Sequence, residues 1–309
     1  MKTITIESHI QDYLDYCSSQ KRLSNKSIKA YRTDLSQFTS HIVETQLAEI
    51  TAATIEQYIS HLHQHYQPKT VKRKIACLKA MFRYFEYREL ISQNPFSKMQ
   101  VKFREPTILP KTIPLRTVER LLKAIYSQQR NAKTPFQRRN ALRDAAVCEL
   151  LFATGMRISE LCSLGAGDVN LPDGTILIYG KGSKERRIQI CNRDVIISLE
   201  KYQAEFTSEI HQCQHYFANQ SGRPLSDQAV RRMINKYASI ASIDLHITPH
   251  MFRHTFATSL LEADVDIRYI QEMLGHSSIN ITEIYTHVAV SKQRDILAAK
   301  HPRKDFTFH

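Results

Sequence analysis

Ile28, Tyr31, Leu35, Phe38 and Ile42 follow one another at alternating steps of three and four, the period of one apolar helix face. Val71, Ile75, Leu78, Phe82 and Phe85 repeat that period in a second stretch, from about Pro68 to Leu90. The first hundred residues are therefore expected to be helical. Ser24 stands just ahead of the first stripe, where a helix takes its N-cap.

The pattern breaks between about Gln100 and Pro114, where Pro106, Pro110 and Pro114 punctuate a segment without helical periodicity. A chain of 309 residues exceeds one typical domain. The reading is a helical domain over 1–99, a linker over 100–114 and a second domain over 115–309. In the second domain, Arg120 to Arg143 holds seven basic residues and no acidic one, and Ser127 to Asn140 within it reads as a loop. Residues 141–152 are apolar and helical, and Thr154-Gly155 ends that helix, because glycine tolerates the left-handed cap conformation. Thr175–Tyr179 and Arg187–Ile190 alternate in the manner of strands, with Gly180-Lys181-Gly182-Ser183-Lys184 at the hairpin tip. The fold class expected is mainly α, with a small antiparallel sheet in the second domain.

Net charge is +13, which points to a polyanionic partner, with a merely soluble basic protein as the competing reading. Residues 1–99 carry fourteen Lys and Arg against nine Asp and Glu, so both parts of the chain are basic. Lys69, Lys72, Arg73 and Lys79 fall mostly off the inner stripe of their helix, and Arg138 and Arg139 lie in the basic stretch. All six are candidates for nucleic-acid phosphate contact; a solvated surface is the competing fate. The six cysteines, Cys17, Cys77, Cys148, Cys162, Cys191 and Cys213, form no C-x-x-C pair. Most sit in apolar stretches and read as reduced core residues of a cytoplasmic protein rather than zinc ligands or disulfides. No apolar run approaches the ~20 residues that span a bilayer. Met1-Lys2-Thr3-Ile4 lacks the apolar segment of a signal peptide, so no membrane partner is expected.

The chemistry-bearing residues lie in A-T-G-M-R-I-S-E-L, G-K-G-S-K-E-R, H-M-F-R-H-T-F-A-T, L-G-H-S-S and Y-T-H. In order, Arg157, Lys181, His250, Arg253, His276 and Tyr285 supply one phenol nucleophile and five cationic or hydrogen-bonding groups. That inventory suits attack on a phosphodiester without a metal. Thr248 and Pro249 open a helix on which His250, Arg253 and His254 share a face, and a helix N-terminus favours an anion. A zinc protease helix needs H-E-x-x-H, but Met251 and Phe252 follow His250. A nucleotide-binding loop needs G-x-x-x-x-G-K-[ST], which Gly180-Lys181-Gly182 does not provide. A lysine on a hairpin can instead enter a nucleic-acid groove and donate a proton. Tyr285 is one of fourteen tyrosines, most of which serve packing; its place nine residues after His276 sets it apart.

With these motifs in place, the chain resembles the tyrosine recombinases, or phage integrase family, most closely the Xer-like and transposon-borne members. The resemblance spans nearly the whole chain. It implies a SAM-like helical core-binding domain, then a mostly helical catalytic domain whose C-terminal tail serves subunit exchange. It implies that Arg157 and Arg253 bind the scissile phosphate, His250 and His276 complete the pocket, and Glu160 supports it. Lys181 would be the general acid for the leaving 5′ oxygen and Tyr285 the nucleophile. No cofactor and no metal are expected. The partners implied are double-stranded recombination sites, three further copies of the chain on two duplexes, and accessory DNA-binding proteins. The location implied is the cytoplasm, at the nucleoid during reaction. Ile296 and Leu297 belong to a C-terminal stretch that would dock on a neighbour. The rival readings are DNA relaxation of the type IB topoisomerase kind and a DNA-binding regulator without catalysis.

Overall fold

The computed structural model describes residues 6–43, 46–97, 99, 111–180 and 185–275. The chain divides into two compact units, Met1–Thr107 and Ile108–His309. Lys181, His276, Tyr285, Ile296 and Leu297 lie outside the described residues, as do Pro106 and Pro110.

The first unit contains α1 (Ile6–Ser19), α2 (Asn25–Thr39), α3 (Ala52–His65) and α4 (Pro68–Tyr87). The Ser24 hydroxyl accepts from the Ser27 amide at 3.2 Å, so the expected N-cap is present. Val71, Ile75, Leu78, Phe82 and Phe85 on α4 are all buried in one core with Leu35 and Phe38 of α2. Burying each such side chain contributes about 1.5–3 kcal/mol, so the stripe anchors α4 on this core together with Cys77, Met81 and Tyr84. Asp34 and Lys74 are also buried. They pair at 2.9 Å across α2 and α4, as buried charges must.

The second unit begins with α5 (Leu115–Arg130) and α6 (Pro135–Thr154). This corrects the expected loop over Ser127–Asn140, since only residues 131–134 lie between the helices. The Thr134 hydroxyl accepts from the Gln137 amide at 3.2 Å and Pro135 occupies the first turn, so α6 starts early. Its first residues face solvent and carry no apolar period, which hid the helix from the sequence.

Further along, α6 is buried on several sides, with Ala145, Ala146, Val147, Cys148, Leu150 and Leu151 in the core. It packs against α5, α8 (Arg193–Glu205) and α11 (Pro249–Glu262). Its two buried carboxylates are satisfied: Tyr237 donates to Asp144 at 3.1 Å and Tyr126 to Glu149 at 2.7 Å. Helix α7 (Ile158–Cys162) follows, and three antiparallel strands run in the order β1 (Val169–Asn170), β2 (Thr175–Tyr179) and β3 (Glu185–Gln189). Helices α9 (Thr207–Cys213), α10 (Asp227–Ile240) and α12 (Ile267–Leu274) complete the described part.

Of the cysteines, all free, Cys17, Cys77 and Cys148 are buried and Cys162 and Cys213 are half-buried. Cys191 departs from the core expectation: it is exposed just past β3. No helix among the described residues is long and apolar enough to cross a membrane.

Candidate active site

The buried helix α6 ends at Gly155, whose φ of +59° is open to glycine and strained for other residues. The turn needs glycine for space as well. A Cβ there would stand 2.7 Å from Phe256 Cδ1 and 3.0 Å from Leu274 Cδ2. Two residues on, Arg157 caps α7 in an extended conformation. The Glu160 carboxylate turns back to accept the Arg157 amide at 2.8 Å and its Nη1 at 2.7 Å. Sequence spacing alone, R-x-x-E at a helix start, makes both bonds possible.

A second arginine completes the Glu160 environment. Arg186 of β3 donates from Nη1 to Oε1 at 3.1 Å and from Nη2 to Oε2 at 2.7 Å. Each carboxylate oxygen thus accepts one bond from Arg157 and one from Arg186, which fills the lone pairs of an ionised carboxylate. Burial alone would raise the Glu160 pKa. The hydrogen bonds from Arg186 and Arg157 outweigh it and hold the group below its ordinary value. Arg186 is not among the residues that the sequence motifs single out. The available signal was its parity: it is two residues before Ile188 and four before Ile190, in an otherwise apolar row.

Arg253 comes from α11 and is buried. It donates from Nη1 to the Gly155 carbonyl at 2.9 Å and from Nη2 to the Leu274 carbonyl at 2.7 Å. Its guanidinium therefore joins the C-terminal ends of α6 and α12, where exposed carbonyls carry partial negative charge. Burial is the main reason its pKa falls to about 9, with Arg157 and Arg186 pushing the same way and Glu160 opposing. The group remains protonated at neutral pH. Arg157, Glu160 and Arg253 are thus brought into one electrostatic cluster.

His250 lies one helical turn before Arg253 and is exposed, and His254 is half-buried. Pro249 is in the first turn of α11, as expected, but the Thr248 side chain makes no cap bond. The described chain stops short of Lys181 at Gly180 and short of His276 at Gly275. Gly275 caps α12 with φ +65°.

The candidate DNA contacts differ among themselves. Lys69 and Lys72 are exposed on α4, while Arg73 pairs with Asp34. Lys79 is half-buried, with Nζ 5.7 Å from the Phe96 ring centroid. Arg138 lines a cleft of about 660 Å³ with Arg130 and Lys201. Arg139 donates to Glu209 at 2.8 Å and lies over the Phe206 ring.

The described part of the site is a carboxylate-braced arginine cluster on a mainly helical unit, in a strongly basic chain. The Phage integrase family matches residues 112–292, and the phage integrase N-terminal SAM-like domain matches residues 10–89. The chain belongs to the phage integrase family, the tyrosine recombinases. It is 66% identical over 303 residues to a tyrosine recombinase of Agathobacter rectalis, covering 98% of this chain and 99% of the relative. It is 36% identical to the tyrosine recombinase XerD of Halalkalibacterium halodurans, over 97% of this chain and 99% of that one. The crystal structure of XerA recombinase aligns with 28% identity and a TM-score of 0.53, over 96% and 99% of the two chains. A post-cleavage complex of XerH with its difH substrate shares the fold at a TM-score of 0.74 and 22% identity, over 94% and 84%. These relatives establish an enzyme of site-specific DNA recombination and disfavour the relaxation and regulator readings.

Proposed function

We propose that the chain cuts and rejoins DNA at a site whose chemistry is divided among Arg157, Lys181, His250, Arg253, His276 and Tyr285. The observation that carries this reading is the Glu160-braced cluster, which gathers Arg157 and Arg253 from segments 96 residues apart in the chain.

Attack on a phosphodiester builds negative charge on the nonbridging oxygens. Arginines and histidines already fixed at those oxygens stabilise the transition state, and loss of one comparable donor costs about 10²–10³ in rate. With this charge met by side chains, the step requires no metal ion. The Tyr285 phenol, with an ordinary pKa near 10, must lose its proton to attack, and His250 accepts it. The Tyr285 oxygen forms the new bond to phosphorus and the bond to the 5′ oxygen breaks. Lys181 protonates that oxygen as it leaves. The products are a 3′-phosphotyrosyl link and a 5′ hydroxyl. The link retains the phosphodiester energy, so a 5′ hydroxyl from another strand reverses the step without ATP.

Four strands are exchanged, and we assign the work to four protomers on two duplexes. A structure of lambda integrase as a tetramer on a Holliday junction supports this. Residues 1–99 would serve as the core-binding domain, 100–114 as the linker and 115–309 as the catalytic domain, with accessory DNA-binding proteins directing the outcome. The reaction is placed in the cytoplasm. The test is incubation of the full chain with DNA flanking its own locus, followed by sequencing of junctions. Recombinant junctions at one defined position are expected; intact flanks or scattered breaks would contradict the proposal.

A further inference from the structure

Arg186 occupies a position that its strand would otherwise give to an apolar residue. It pairs with Ile178 across the β2–β3 ladder, and Ile188, two residues on, pairs with Ile176. Ile176, Ile178 and Ile188 are all buried in the core, on the face that Arg186 shares by strand parity. The Arg186 side chain is itself only 8% exposed. A guanidinium there is tolerated because its charge is fully engaged. Nη1 and Nη2 grip Glu160 as a fork, and Nε donates to the Met273 carbonyl at 2.8 Å.

These three bonds join parts of the unit that are far apart in sequence. Glu160 orders Arg157. Met273 lies in the last turn of α12, three residues before His276. Gly275 lies against the same guanidinium, since a Cβ there would stand 3.0 Å from Arg186 Cδ and Nη1. Arg186 itself follows Lys181 by five residues. We propose that Arg186 is a positioning residue for strand cleavage. It sets Arg157 through Glu160, and it fixes the end of α12 from which the chain runs to His276. The proposal rests on the site reading given above. Lysine cannot replace it, because an ammonium lacks the planar fork and the Nε donor.

The test uses the full chain and DNA flanking its own locus, with DNA affinity, thermal melting and single-turnover formation of the covalent adduct measured together. Arg186→Lys is expected to keep DNA affinity within about twofold and to slow adduct formation by about 10²-fold, the scale of an ångström-level misplacement. Arg186→Lys combined with Glu160→Gln is expected to be no slower than the slower single variant, because both act through one unit. Multiplicative losses would overturn the route through Glu160. Wild-type cleavage by Arg186→Lys would overturn the proposal. So would parallel losses of folding, DNA binding and cleavage, which would mark a structural strut. If Arg186→Lys cannot be purified, Arg186→Gln takes its place, and failure of both to fold also overturns it. Tyr285→Phe is run alongside. An adduct formed by that variant refutes the underlying site, whereas no adduct there with full cleavage by Arg186→Lys refutes the positioning role alone.

Discussion

Arg253 donates its Nη1 hydrogen to the carbonyl of Gly155, 2.9 Å away and 98 residues earlier in the chain. The bond ties the helix that carries His250 to the turn that presents Arg157. Glycine is required at that turn for its left-handed backbone and because Phe256 fills the space a side chain would need. One contact thus links a backbone constraint to the arrangement of the arginine cluster.

Gly155→Ala places a Cβ 2.7 Å from Phe256 Cδ1 and forces alanine into a positive φ. The expected cost is about 1–3 kcal/mol from the backbone alone, with the steric clash adding to it. Thermal melting should fall by several degrees, with adduct formation reduced as Arg157 shifts. An unchanged melting temperature would show that the turn relaxes freely.

Glu160→Gln removes the only carboxylate paired with both Arg157 and Arg186 among the described residues. Leaving the largely buried Arg186 and the half-buried Arg157 without their counter-charge is expected to cost ~3 kcal/mol. The pH dependence follows from the lowered Glu160 pKa. The stability that the carboxylate contributes is present above its ordinary value of 4.5 and is lost as pH falls through its lower folded value. Denaturant unfolding from pH 6 down should show a steeper loss in the wild type than in Glu160→Gln. Parallel curves would remove Glu160 from the linkage.

Lys181→Ala should slow cleavage of ordinary DNA by 10²-fold or more, the usual upper range for loss of a general acid being about 10⁴. A substrate with sulfur in place of the bridging 5′ oxygen has a better leaving group and should restore the rate. Failure of the sulfur substrate to recover would count against the proton-donor role.

The parts legible in the sequence were those set by local periodicity and by glycine. The α4 stripe, the Ser24 cap, the Gly155 stop and the bounds of β2 all came from neighbours within one or two turns. The start of α6 did not, because its exposed polar turn has no apolar rhythm and depends on Thr134 and Pro135. Arg186 was hidden for a different reason. Its partner Glu160 lies 26 residues away, and within E-R-R-I-Q only its parity with Ile188 sets Arg186 apart from the exposed Arg187 beside it. Likewise, Arg73 and Arg139 read as candidates for phosphate contact or for a solvated surface, and the carboxylate each pairs with is brought near only by the tertiary fold.

The most direct measurement is the covalent step itself. DNA flanking the locus is mixed with wild-type protein or with Tyr285→Phe, quenched in SDS and resolved by electrophoresis. A detergent-stable protein–DNA species with the wild type, absent for the phenylalanine variant at equal DNA occupancy, is the predicted result. The same species appearing with Tyr285→Phe would mean that another residue attacks the phosphorus.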